Sequence, residues 1–197
     1  MLGVSDSDSM RIIAGSLRSR TLEAPAGPAT RPTSDRLRET LFNVLAPRVE
    51  GARFLDLYAG SGAVGIEALS RGAAQVVLVE RAPAALKALR GNLARLGIGA
   101  GFQVQSGSVA AWLRRARTSH AAGFDLVFLD PPYDASQEYA ATLGLLGGEA
   151  SALLAEGALV IAEHRRKEPL EERYGVLVRR RLLEQGDASL SFYAAAE

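Results

Sequence analysis

Three stretches of this chain hold residue types whose spacing suits chemistry. The first is Asp130-Pro131-Pro132-Tyr133, which ends the apolar run FDLVFL. Proline has no N–H and constrains both its own φ and the residue before it, so Asp130 and Pro131 are pushed to extended backbone. Such a corner offers only acceptors, the Asp130 carboxylate and the Pro131 carbonyl, beside an aromatic ring. It suits an exocyclic amine on a flat group, which donates two hydrogen bonds while its ring stacks on Tyr133. An amine of that kind is a poor nucleophile, because its lone pair is delocalised into the ring. Acceptors out of the ring plane favour a pyramidal nitrogen, and Asp130 is placed to take the proton as that nitrogen attacks an electrophile. The bland alternative is a strand stop with an incidental tyrosine.

The second stretch is FLDLYAGSGAVGIEAL, where Gly60, Gly62 and Gly65 have GxGxxG spacing. Glycines there let a backbone turn tightly and approach a ligand closely. Glu80 ends the next apolar run, twenty residues after Gly60, where an acid can accept from both hydroxyls of a ribose. Ser61 in the loop and Arg81 after the acid complete this candidate cofactor set. Asp56, four residues before Gly60, puts a negative charge near the loop. That charge opposes a pyrophosphate and suits a cofactor with an ammonium group, such as S-adenosylmethionine. A helix or loop cap is the other reading of Asp56.

The third feature is charge. Net charge is only +1, but Met10 to Arg48 holds seven arginines against three acids. His164 to Arg181 holds seven basic residues against three acids, so two basic ends flank an acidic middle. A phosphate-rich partner touching both ends is one reading. Codon bias is the other, since arginine outnumbers lysine 21 to 2. With no cysteines and only His120 and His164, no metal site, disulfide or thiol nucleophile is expected.

These residues must be positioned by regular elements. RIIAGSLRSRTLEAP reads as two short strands with Gly15 near their turn. SDRLRETLFNVLAP reads as a helix with Ser34 as N-cap and Pro47 as its stop. From Arg53 onward, the runs RFLDLY, QVVLVE, FQVQS, FDLVFLD and ALVIAEH alternate with helical windows beginning near Gly62, Pro83 and Ser108. That alternation predicts an α/β fold, a doubly wound, mostly parallel sheet with helices on both faces. The last strands, joined around Gly186 and Asp187, predict an antiparallel hairpin. Residues 1–9 read as a disordered lead-in, 10–48 as a hairpin-and-helix extension and 49–197 as the main domain. No apolar window approaches a membrane span and no secretory signal is present at the start, which points to the cytoplasm.

DPPY resembles the [DNS]-P-P-[YF] motif of amino methyltransferases, and DLYAGSGAVGIEALSRGA resembles their glycine motif. RIIAGSLRSRTL and TRPTSDRLRETLFNVL are similar to the more restricted signature of the RsmD family, 16S rRNA guanine-N2 methyltransferases. The resemblance spans Met10 to Tyr193. It implies a seven-stranded class I methyltransferase sheet, S-adenosylmethionine as cofactor with S-adenosylhomocysteine as product, and no metal. It implies one guanine of 16S rRNA as substrate, presented on the 30S subunit or a late assembly intermediate, and a monomer is expected. Asp130, Pro131, Pro132 and Tyr133 map to its catalytic loop, and Gly60, Gly62 and Glu80 to its cofactor site. Thr33, Arg36 and Glu39 fall in the N-terminal signature, near cofactor or RNA. One departure stands out: relatives commonly carry Asp or Asn near the adenine after the third strand of the main domain, where this chain has SGSVAAWL. Ser108 and Val109 are the contacts left there, with Ser108 also a helix cap. Alternatives are an amino methyltransferase acting on DNA adenine or protein glutamine, an NAD(P)-dependent oxidoreductase, and a non-catalytic RNA-binding factor.

Overall fold

Each short apolar run is a strand in the computed structural model, which describes residues 10–25, 35–117, 123–132 and 136–196. β1 (Met10–Arg11) and β2 (Thr21–Leu22) form a small antiparallel pair, followed by α1 (Asp35–Val49). The alternating region gives β3 (Arg53–Leu57), α2 (Ala63–Ser70), β4 (Gln75–Glu80), α3 (Pro83–Arg95), β5 (Phe102–Ser106), α4 (Val109–Ala116) and β6 (Phe124–Leu129). Beyond β6 come α5 (Gln137–Leu146), a 3-10 turn at Ser151–Leu153 and β7 (Leu154–Arg165). β8 (Arg173–Tyr174), β9 (Leu177–Gln185) and β10 (Ala188–Ala195) complete the chain.

The large sheet has the order β5-β4-β3-β6-β7-β10-β9-β8. Its first five strands are parallel, and β10 and β9 add the antiparallel hairpin. An eighth strand joins the seven expected: β8 pairs with β9 through only two residue pairs, too few to carry an apolar period. Helix α1 runs past Pro47, the expected stop, to Val49. In a last turn proline forfeits one hydrogen bond, and burial of Val49 offsets it. The expected cap Ser34 lies outside the described residues, as do Thr33, His120, Tyr133 and residues 1–9.

The central strands are buried on both faces, which is why their sequences read as continuous apolar runs. Leu41, Phe42, Ile66 and Leu89 of α1, α2 and α3 pack on one face with Phe54, Leu78 and Phe128. Trp112, Leu113 and Leu143 of α4 and α5 pack on the other with Leu55, Val79 and Leu129. Among the described residues, no helix is long and apolar enough to cross a membrane.

The N-terminal pair is fastened to α2 by polar side chains. The buried Glu67 carboxylate accepts from Ile13 N at 2.7 Å and Ala14 N at 3.0 Å. Ser70 Oγ accepts from Leu17 N at 2.9 Å. Gly15, at φ 84°, passes so close that a Cβ there would lie 1.8 Å from the Ser70 carbonyl oxygen. Only glycine fits that conformation and that gap.

Register places the site. Leu57 is level with both Val79 and Leu129, and Leu129 with Ala162. The next residues, Glu80, Tyr58, Asp130 and Glu163, therefore stand in one row on the carboxyl edge. Strand order reverses between β3 and β6 within that row, and open sheets of this kind bind ligands at such a reversal.

Candidate active site

The glycine loop leaves β3 and turns into α2 with φ 56° at Gly60 and 83° at Gly62. A Cβ on Gly62 would meet Leu89 Cδ1 at 2.3 Å, and one on Gly65 would meet Leu78 Cδ2 at 2.7 Å. These two glycines let α2 press on α3 and the sheet. At Gly60 the nearest atom to such a Cβ is 4.0 Å away, so that glycine serves the turn and leaves open space beside the loop.

Glu80 organises the loop from the neighbouring strand. Its Oε2 accepts from Gly60 N at 2.8 Å, and its Oε1 accepts from Arg81 N at 2.7 Å and Ala82 N at 2.8 Å. Asp56, 2% exposed, accepts from Gly65 N at 2.8 Å, so the capping reading describes its place in the fold. Burial pushes its carboxyl up to about 7, against the pull of the Gly65 hydrogen bond and with help from the Glu80 charge. Ser61 is buried, with its Oγ 4.0 Å from Met10 Sδ, and its carbonyl accepts from Asn92 Nδ2 at 2.9 Å. Its hydroxyl is therefore turned into the fold.

A cleft on the carboxyl edge is lined by Tyr58, Val79, Glu80, Arg81, Gly107, Ser108, Val109 and Glu138. It unites four of the expected cofactor residues, Glu80, Arg81, Ser108 and Val109. Ser108 Oγ accepts from Ala111 N at 3.3 Å and caps α4, as its alternative reading holds. Tyr58 and Gly107 lie in the glycine motif and in SGSVAAWL without a role of their own there, and Glu138 lies in neither. Tyr58 has φ 62°, a left-handed conformation that costs a non-glycine residue on the order of 1 kcal/mol. Its hydroxyl donates to Glu138 Oε2 at 2.8 Å and lies 2.6 Å from Thr142 Oγ1. A phenol has one hydrogen, so Thr142 donates to Tyr58 in turn. Burial raises the Tyr58 hydroxyl well above the usual phenol range, and it stays a donor.

Asp130 stands half-buried one residue beyond β6, next to Tyr58 in the row; Pro131 is buried and Pro132 exposed. Arg36 and Glu39 are exposed on the first turns of α1, while Arg38 between them is fully buried. Arg38 donates to the Arg11 carbonyl and to Asp35 at 2.9 Å, and burial lowers its pKa. It belongs to the fold and leaves the basic surface counted from the sequence smaller by one. Thr40 Oγ1 donates to Gln185 Oε1 at 2.8 Å, which brings α1 against the β9–β10 turn and so joins the two basic ends. His164 is buried near the end of β7, its Nδ1 donating to the Arg165 and Glu168 carbonyls at 3.0 and 3.1 Å.

Comparison with known proteins adds the lineage. A family model described as conserved hypothetical protein 95 matches residues 10–194. The chain is 43% identical over 159 residues to ribosomal RNA small subunit methyltransferase D of Escherichia coli (strain K12), covering 81% of this chain and 76% of that protein. It is 39% identical over 184 residues to YlbH of Bacillus subtilis (strain 168), named as a candidate rRNA methyltransferase, covering 93% and 98%. The solved structure of yhhF from Escherichia coli, named as a candidate methyltransferase, superposes with a TM-score of 0.80 at 35% identity, covering 95% of this chain and 98% of that one. The chain belongs to the family of that model, the RsmD family that its N-terminal signature and sheet motifs resemble.

Proposed function

We propose that this chain transfers a methyl group from S-adenosylmethionine to the exocyclic N2 of one guanine in 16S rRNA. One observation carries the reading: the acceptor-only corner Asp130-Pro131 stands beside Tyr58 in the row that ends with Glu80, at the reversal of strand order. The names of the relatives, rRNA methyltransferases at 39–43% identity, support the same reaction class.

The residues present fit an adenosyl cofactor. Open space lies beside Gly60, Glu80 keeps one lone pair on Oε2 for a ribose hydroxyl, and Ser108 and Val109 bring the start of α4, with its free N–H groups, to the cleft. When bound, S-adenosylmethionine supplies a methyl group already activated on a sulfonium, and S-adenosylhomocysteine is the product. The chain's own part is placement. Asp130 and the Pro131 carbonyl accept the two N–H bonds of the guanine amine and hold its lone pair toward the methyl carbon. The new C–N bond forms as the C–S bond breaks, and the nitrogen becomes positive. The Asp130 carboxylate stabilises that charge and takes the proton. Tyr133 stacks on the base. Asp56 keeps the glycine loop in shape through Gly65 rather than touching a ligand.

Exposed Arg36 on α1, Arg165 at the end of β7 and Arg166 and Lys167 just beyond it give the same end of the molecule a basic rim. That rim suits rRNA in the 30S subunit or a late assembly intermediate, bound by a monomer in the cytoplasm. The test is methyl transfer from labelled S-adenosylmethionine to undermodified 30S subunits, with duplex DNA and protein as competing acceptors. Label in 16S rRNA alone is expected; label in DNA or protein overturns the substrate assignment.

A further inference from the structure

The segment after β5, SGSVAAWL, brings no carboxylate to the cleft, and Ser108 caps α4 by accepting from Ala111 N. A carboxylate nevertheless enters the same cleft from α5. Glu138, in the first turn of α5, lines it together with Ser108 and Val109, and its side chain is 26% exposed. The side chain is held on both oxygens. Tyr58 donates to Oε2 at 2.8 Å, and Arg81 Nη1 lies 3.9 Å from Oε1. Thr142, one turn further along α5, fixes the Tyr58 hydroxyl at 2.6 Å. Two oxygens offer about four lone-pair positions, so acceptors remain for a ligand. Tyr58 makes both contacts from a left-handed backbone, φ 62°.

We propose that Glu138 accepts a hydrogen bond from the exocyclic amine of the cofactor's adenine and sets adenine specificity from α5. Tyr58 and Arg81 are its positioning residues. The start of α4 at Val109 supplies N–H groups for the ring nitrogens beside that amine. The proposal rests on the adenosyl cofactor assigned under Proposed function.

Calorimetry with two ligands tests it. S-adenosylhomocysteine carries the amine; S-inosylhomocysteine carries a carbonyl oxygen there, which would face the Glu138 carboxylate. Wild type is expected to prefer the adenosyl ligand by about thirtyfold or more, because a site built to accept from an amine is left unpaired by its analogue. Glu138→Gln, whose amide both donates and accepts, is expected to bring the ratio to within about threefold of unity. Glu138→Ala is expected to weaken S-adenosylhomocysteine about tenfold and lower the ratio, and Ser108→Asp in that background to restore it. Melting temperatures of the ligand-free variants report any folding defect separately. Wild-type binding with a ratio that Glu138→Gln leaves unchanged overturns the proposal and spares the assigned cofactor. Failure of wild type to bind either ligand overturns the assigned cofactor and this inference with it.

Discussion

Glu80 Oε2 accepts a hydrogen bond from Gly60 N at 2.8 Å, so the acid at the end of β4 and the first glycine of the loop form one unit across neighbouring strands. The carboxylate also gathers the N–H groups of Arg81 and Ala82, and these contacts set the floor of the cleft before any ligand arrives. By its position at the end of β4, Glu80 has one expected task, the ribose. In the structure it has a second, the shape of the loop.

Glu80→Gln keeps one acceptor oxygen and loses the other together with its charge. Hydrogen bonds to charged groups contribute roughly 1.5–3 kcal/mol. S-adenosylhomocysteine affinity, measured by calorimetry, is therefore expected to fall by about tenfold or more. Unchanged affinity would mean that Glu80 holds neither the loop nor the ribose.

The buried Asp56 gives a pH signature. Its carboxyl is raised from 3.8 to about 7 in the fold, so the stability it contributes is full below 3.8 and is lost as pH rises toward 7. Asp56→Asn has no such titration. The wild-type advantage in melting temperature over the variant is expected to shrink by roughly 5 °C between pH 5 and 7. Parallel curves would show that the carboxyl is charged throughout.

Arg36 and Lys167 are exposed on the two basic ends that the Thr40–Gln185 contact draws together. Arg36→Glu and Lys167→Glu are expected to weaken 30S binding and to reduce the steepness of its salt dependence by about one counterion each. Filter binding across a salt series measures both. A lower affinity with an unchanged salt slope would contradict phosphate contact.

Asp130→Ala removes the acceptor at the end of β6 and leaves the glycine loop untouched. Turnover on 30S subunits is expected to fall by roughly 10²–10⁴ while S-adenosylhomocysteine affinity stays within about threefold. Wild-type turnover in this variant would remove Asp130 from the chemistry.

The parts legible in the sequence are those written in local order. Strand–helix alternation, the glycine spacing, the acid after β4 and the proline corner after β6 are each contained in one run. What escaped is built from residues distant along the chain. Asn92 is fully buried on α3, and its amide joins the Ser61 carbonyl to the N–H and carbonyl of Glu23, 69 residues away. Nothing around Asn92 marks that role. Arg38 reads as one more surface arginine until packing buries it against Glu67. Glu138 reads as an ordinary acid in a helix's first turn; only Tyr58, reaching it across 80 positions, makes it part of the cleft. The aromatic between Asp56 and Gly60 was the one signal available for that pair.

The central claim is the atom that is methylated. Undermodified 30S subunits treated with the purified chain and S-adenosylmethionine, then digested to nucleosides and examined by mass spectrometry, identify it directly. N2-methylguanosine, at about one per 16S rRNA, is the result this account predicts, since the corner of Asp130 and Pro131 accepts from one exocyclic amine. N6-methyladenosine, a methylated ring nitrogen, or no methylated nucleoside at all would contradict it.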